Sequence, residues 1–134
     1  MMLLLLLLGL IGTAVELWLL GHSEDWLQWI PLILIAAGLL VSSWHMISGA
    51  KAGLRVMRVI MIGFVLSGAI GIGLHYRGGV EFQQEVDPSL TGLDLFLKVM
   101  ESKAPPMLAP GVMAQLGLLG LAYTYRHPAL LEGD

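Results

Sequence analysis

Four residues near the ends of the apolar segments have side chains that could bind a metal ion. They are two carboxylates and two imidazoles, namely Glu16, His22, His75 and Glu81. Zinc, iron and manganese accept this set of donors in proteins. No pair among them has a local ligand spacing such as H-E-x-x-H, so they would have to converge from separate segments. Metal binding is therefore one hypothesis. The alternative for Glu16 is a purely structural hydrogen bond to Gln115, Trp26 or His22.

A second group of polar residues is predicted at the opposite ends of the helices, around His45. Its other members are Ser48, Tyr123, Tyr125, Arg126 and His127. Haem held by His45 and His75 is disfavoured because these residues are predicted near opposite membrane faces, and the easier pair of His22 with His75 lacks a motif. Ser42 and Ser43 lie close to His45, but no Asp or Glu lies within helical reach to orient a catalytic base. Enzymatic activity is therefore the less favoured interpretation.

The chain that holds these residues is too apolar for an ordinary soluble domain. Its 134 residues are 57% hydrophobic and 13% charged, and the mean hydropathy is +0.81. A bilayer solvates this much apolar surface, provided that the backbone amides are bonded within helices or a closed barrel. The long apolar runs do not alternate, which favours helices. The sequence predicts an all-α polytopic membrane protein.

Four segments are predicted to cross the membrane as one four-helix bundle in a single domain. They cover residues 2–20, 31–50, 56–76 and 110–125. The first three have about the 20 residues that a hydrocarbon core of about 30 Å requires, and the fourth is slightly short. The first segment lacks a basic amino-terminal region and keeps Glu16 where a signal peptide would have its cleavage site. We therefore expect it to be retained as a span.

The positions of the basic residues predict the orientation in the membrane. Lys51, Arg55 and Arg58 lie between the second and third spans, whereas the loop after the first span contains Glu24 and Asp25 and no Lys or Arg. Short loops rich in Lys and Arg stay on the cytoplasmic side. Both termini are therefore predicted to be cytoplasmic, in a bacterial cytoplasmic membrane. The same three basic residues can attract anionic lipid headgroups.

Residues 77–107 form the predicted external segment, which is acidic. An extended run is expected at its start, because Val80, Phe82 and Val86 would share one side of it. Further on, four apolar residues repeat at i, i+3, i+4 and i+7 and predict a short amphipathic helix; they are Leu93, Phe96, Leu97 and Met100. This helix is expected to lie on the membrane surface, to cover the outer ends of the spans or to dock a partner.

Each predicted span has small residues at helical spacing. Helices in lipid associate largely through close packing of such residues. The predicted packing positions are Gly9, Gly12, Gly38, Ser42, Ser67, Gly68, Gly71, Gly117 and Gly120. Polar groups beside these positions, including Glu16 and His75, are expected to point into the bundle.

These features favour a non-catalytic accessory or scaffolding subunit of a membrane assembly. Its partners would be the lipid bilayer and either other membrane subunits or a second copy of the chain. The alternative is a small carrier or cofactor-binding protein with a cation or proton site at the outer helix ends, and a quinone or lipid between the helices is a third possibility; the cofactor is unknown. The absence of cysteine excludes thiolate metal sites and disulfides. The basic residues form no extended patch for nucleic acid.

Overall fold

The computed structural model describes residues 1–21, 25–102 and 106–131. Within these ranges the chain is all-helical and has no strand. Three segments are long and apolar enough to cross a membrane, namely Met2–Leu19, Trp26–Ser48 and Lys51–Val86. This agrees with the integral membrane protein predicted from composition.

The helices follow one another in the order α1 Met2–Leu19, a 3-10 turn Trp26–Gln28, α2 Trp29–Ser48, α3 Lys51–Val86, α4 Gly92–Met100, α5 Leu108–Thr124 and α6 Pro128–Leu131. Helix α3 is central, because it packs against α2 and α4 and has its most extensive contact with α5. Helix α1 closes the arrangement by packing on α2 and α5. The shared core consists of Leu6, Leu10, Leu17, Ile35, Val41, Met57, Met61, Phe64, Met113 and Leu116.

Helix α1 buries a different stripe from the predicted one. Its buried residues are Leu6, Leu10, Thr13 and Leu17. The Thr13 hydroxyl donates to the Gly9 carbonyl at 2.9 Å, while Gly12 and Glu16 are exposed. The expectation that Glu16 points into the bundle is wrong. The leucine stripe buries more apolar surface than a face of glycine and carboxylate would, and Glu16 lies one turn from the helix end.

A glycine terminates α2 and lets α3 begin at once. Gly49 has φ +65°, a left-handed conformation that glycine adopts without steric cost. Its backbone N–H donates to the His45 carbonyl at 2.8 Å. Helix α3 then starts at Lys51. We call this end of the molecule, which also contains the end of α5, the basic end.

Helix α3 extends well beyond the predicted third span of 56–76. Its 36 residues correspond to about 54 Å at about 1.5 Å per residue, against a hydrocarbon core of about 30 Å. The extended run predicted for its last residues is wrong, because residues 77–86 continue the helix. Phe82 and Val86 are four residues apart, a spacing that suits one face of a helix as well as one side of a strand.

An ion pair stabilises the last part of α3, and a proline ends the helix. Arg77 Nε and Glu81 Oε1 form an i, i+4 ion pair at 2.8 Å. Asp87 has an extended backbone with φ −141°, because a following proline, here Pro88, disfavours the helical conformation of the residue before it. The chain turns there and leads into α4.

Helix α4 packs back onto the extension of α3. Leu95 and Val99 are its buried residues, and a Cβ built on Gly79 would lie only 2.8 Å from Val99 Cγ1. The Phe96 and Tyr76 rings are 6.0 Å apart. The predicted apolar stripe is therefore not the buried one, and the exposed members of that stripe are Leu93, Phe96 and Leu97. The difference arises because packing against α3 determines which face of α4 is buried, and the sequence of α4 alone carries no information about that packing.

Candidate functional site

A cleft of about 670 Å³ opens at the end of the molecule where α4 lies. It is bounded by the end of α1, the beginning of α2, the start of α5 and the second half of α3. Its apolar and glycine lining consists of Leu17, Leu27, Ile30, Pro31, Ile70, Gly71, Leu74, Gly78, Gly79, Phe82, Val99, Ala109, Pro110 and Met113. Its volume is typical of a site for a small organic molecule.

One face of α3 forms much of the cleft. The lining positions Ser67, Gly71, His75, Gly78 and Phe82 follow the spacing i, i+4, i+8, i+11 and i+15, which keeps them on one side of the helix. The glycines leave space where other residues would project side chains. His75 lies between them and is exposed, so its imidazole is available to a molecule in the cleft.

The polar groups of the cleft are few. They are Asp25, Gln28, Ser67, His75, Gln83 and Ser102. No Lys or Arg is among its described lining residues, so an anionic headgroup would find no counter-charge there. Imidazole and carboxamide groups both donate and accept hydrogen bonds. The cleft therefore suits a molecule with an apolar body and a polar head without negative charge.

The four predicted metal ligands lie in different surroundings. Glu16 is exposed on α1, His75 lines the cleft, and Glu81 is paired with Arg77. His22 lies outside the described residues. Among the residues that the structure describes, no three His, Asp or Glu side chains form a group that could hold a metal ion. The four-residue metal site stays a prediction, and the guanidinium beside Glu81 disfavours a cation there.

The turn between α3 and α4 contains a carboxylate with an altered acidity. The Ser89 hydroxyl donates to Asp87 Oδ1 at 2.6 Å, and the Ser89 backbone N–H donates to the same oxygen at 3.0 Å. These hydrogen bonds, the hydroxyl first, hold the pKa of Asp87 below its ordinary value of 3.8. Asp87 is therefore ionised at neutral pH and adds a negative charge to this end of the molecule.

The structure brings part of the second polar group together at the basic end. His45 Nδ1 lies 3.2 Å from the Ala50 carbonyl oxygen, and His45 Nε2 lies 3.1 Å from Tyr123 Oη. Because a carbonyl can only accept, we assign the proton to Nδ1, so that Nε2 accepts from the Tyr123 hydroxyl. The His127 ring centroid lies 5.6 Å from that of His45 and 5.2 Å from that of Tyr123. We call His45, Tyr123 and His127 the aromatic cluster.

The aromatic cluster and the cleft are far apart. His45 packs against Gly53 near the start of α3. A Cβ added to Gly53 would lie 3.1 Å from His45 Cβ. His75 is 22 residues further along that helix, which corresponds to about 33 Å at about 1.5 Å per residue. One haem could not be ligated by both His45 and His75, as the sequence also indicates.

The predicted packing residues differ in what they face. Gly68 and Gly71 lie against α5, Gly117 and Gly120 lie against α3, Gly9 faces Leu116, and Gly38 faces Phe64. A Cβ on Gly12 would have no heavy atom within 4 Å, and Ser67 lines the cleft. Ser42 is fully buried, and its hydroxyl has no hydrogen-bond partner among the described residues. Gly53 and Gly79 also lie close to other helices, next to His45 of α2 and Val99 of α4. The sequence did not predict these two contacts, because they depend on how α2 and α4 pack against α3.

The basic residues Lys51, Arg55 and Arg58 all lie in the first turns of α3. Arg58 Nη2 donates to the Thr124 carbonyl oxygen at 2.7 Å. This bond joins the start of α3 to the end of α5, where the last carbonyls of a helix lack partners within it.

Comparison with protein-family models, with curated proteins and with solved structures finds no match for this chain.

Proposed function

We propose that this chain is an integral membrane protein that binds an amphiphile with an uncharged polar head, such as a quinone or a neutral lipid, in the cleft beside α3. The supporting observation is the cleft itself, which is large, mainly apolar and lined by His75 and Gln83 without any described Lys or Arg. An apolar tail would contact the aliphatic lining, and the head would exchange hydrogen bonds with the imidazole and the carboxamide. The protein holds this molecule and does not transform it.

In this proposal α5 is the fourth membrane span and α4 lies outside. Helix α5 has 17 residues, about 26 Å at about 1.5 Å per residue, which nearly matches a hydrocarbon core of about 30 Å. The basic start of α3 would then face the cytoplasm together with both termini, in a bacterial cytoplasmic membrane. A reporter fused after Asp134 should be active only on the cytoplasmic side. Activity on the external face would overturn this topology.

A pair of glycine substitutions on α3 tests the cleft. Gly78 lines the cleft, and a Cβ there would meet no heavy atom within 4 Å, so the side chain of Gly78→Phe starts in open space at the wall of the cavity. Gly73 is also exposed and free of neighbours within 4 Å, but it lies on the opposite side of α3 from Gly71. Gly73→Phe is therefore the matched control, with the same change in helix propensity and hydrophobicity.

The measurement is binding of decylubiquinone and of dioleoylglycerol to the protein purified in mild detergent, followed by native mass spectrometry. We expect at least one of the two to bind the wild type and Gly73→Phe, and we expect Gly78→Phe to reduce its binding about tenfold or more, because the added ring occupies the cavity. Equal binding by all three proteins, or binding of neither probe, would contradict the proposal.

A second candidate function is an accessory or scaffolding subunit of a membrane assembly. The observation that favours it is the exposed apolar side of α4, where Leu93 is 69% exposed and Phe96 and Leu97 are each 44% exposed. Such a side on a helix outside the bilayer can dock another protein. The same native spectra separate the two functions, because a partner subunit or a second copy adds a protein mass rather than the mass of a small molecule. A bare monomer would count against the accessory function.

A further inference from the structure

A second, smaller cleft lies at the basic end and has a different chemistry from the first. Its volume is about 490 Å³, and its lining residues are Arg58, Leu121, Tyr125, Arg126, Leu130 and Leu131. Both charged residues among the described lining are arginines. The cleft thus combines two arginines and a tyrosine with three leucines.

Arg58 is held at this cleft by the bundle. Its Nη2 donates to the Thr124 carbonyl oxygen at 2.7 Å, and Thr124 is fully buried at the end of α5. A guanidinium has five N–H donors, so this bond leaves others to face the cleft. The hydrogen bond to Thr124 fixes the position of the guanidinium. Because Arg58 is also exposed, its charge remains accessible to a ligand.

Arg126 reaches the cleft through an unusual backbone conformation. It is the one non-glycine residue with positive φ in the described chain, at +48°, a region that side chains disfavour. The turn that contains it closes with the His127 N–H donating to the Thr124 carbonyl oxygen at 3.4 Å. Glycine would adopt this backbone conformation at lower cost, and Arg126 adopts it while its side chain lines the cleft.

We propose that this cleft binds the phosphate of an anionic glycerophospholipid headgroup. Arg58 and Arg126 bind the phosphate by charge-assisted hydrogen bonds, and the Tyr125 hydroxyl donates a further one. Leu121, Leu130 and Leu131 contact the glycerol end of an acyl chain. The leucines favour a lipid over a free phosphate, since a soluble anion gains nothing from apolar contacts.

Two arginine variants on the same side of the molecule test the proposal by native mass spectrometry with dioleoylphosphatidylglycerol and dioleoylphosphatidylcholine. Arg126→Gln removes a charge from the cleft, whereas Arg55→Gln removes one from the first turns of α3, outside the cleft. We expect phosphatidylglycerol to bind the wild type more tightly than phosphatidylcholine. Arg126→Gln should weaken phosphatidylglycerol binding about tenfold, because it removes a charge-assisted hydrogen bond to the phosphate. Arg55→Gln should weaken it clearly less, because Arg55 lies outside the cleft and contributes only the diffuse attraction of a basic residue near an anionic headgroup.

A third variant separates binding from folding. Arg126→Gly relieves the backbone conformation and deletes the charge, so the thermal midpoint should be unchanged or higher while phosphatidylglycerol binding falls as in Arg126→Gln. Equal losses of phosphatidylglycerol binding in Arg55→Gln and Arg126→Gln would show that the lipid is held only by diffuse electrostatic attraction, and would contradict a specific site. Displacement of the lipid by inorganic phosphate would assign the cleft to a soluble anion instead, and wild-type binding by Arg126→Gln would remove the proposal.

Discussion

Gly117→Ala is expected to destabilise the protein more than any other single methyl addition in α5. A Cβ at this position would lie 2.7 Å from the Met61 carbonyl oxygen and 2.8 Å from Val65 Cγ2. The first of these atoms belongs to the backbone of α3 and cannot rotate away, so the two helices have to separate. We expect a loss of about 3 kcal/mol in the free energy of unfolding, at the upper end of the cost of overpacking.

Gly68→Ala should have a similar effect from the other side of the same interface. A Cβ on Gly68 would lie 2.7 Å from the Pro110 carbonyl oxygen and 2.8 Å from the Ala114 backbone nitrogen. The close approach of α3 and α5 therefore depends on a glycine from each helix. In lipid, such backbone proximity supplies much of the packing that holds helices together.

Gly73→Ala and Gly12→Ala are the controls for both substitutions. Added Cβ atoms there would meet nothing within 4 Å, and alanine has the higher helix propensity, by about 1 kcal/mol. Both controls should be as stable as the wild type or slightly more stable. Equilibrium unfolding in mixed micelles measures all four variants, and a Gly117→Ala protein as stable as Gly73→Ala would show that α3 and α5 can part at no cost.

The glycine pattern shows which features of the fold local sequence can predict. Small residues at helical spacing indicated that α3 and α5 have faces suited to close packing, because this depends only on residue size and helix period. The pattern did not distinguish Gly12, which faces no neighbour, from Gly9, which faces Leu116. That distinction depends on the rotation of α1 about its axis, which the leucine stripe sets through burial of apolar area.

The cleft could not be predicted from sequence for a related reason. It exists because α3 continues to Val86 while α1 has already ended at Leu19 and α5 begins only at Leu108. The lengths of three separate helices decide this, and the residues after Tyr76 were predicted as an extended run, whereas α3 continues through them to Val86. His75 was singled out for a metal site, which stays a prediction, whereas the structure places it in the lining of the cleft.

His45→Ala is expected to be the most disruptive side-chain truncation at the basic end. His45 is only 6% exposed, and its two ring nitrogens pair with the Ala50 carbonyl and the Tyr123 hydroxyl. Truncation leaves a cavity and deprives both partners of a hydrogen bond, and each buried unpaired polar group costs about 1–3 kcal/mol. We expect the free energy of unfolding to fall by about 3 kcal/mol, because the α2–α3 connection and α5 lose their common contact.

Two matched substitutions show whether the hydrogen bonds are responsible for this effect. Tyr123→Phe removes only the Nε2 partner and should cost about 1 kcal/mol. Ser42→Ala, one turn before His45 on α2, removes a buried hydroxyl that has no partner among the described residues, so it should be neutral or stabilising. In the double variant of His45→Ala with Tyr123→Phe, the loss should be smaller than the sum of the two single losses, since both remove the same bond. Strict additivity, or a loss in Ser42→Ala equal to that in His45→Ala, would mean that volume alone and not the aromatic cluster stabilises this end of the protein.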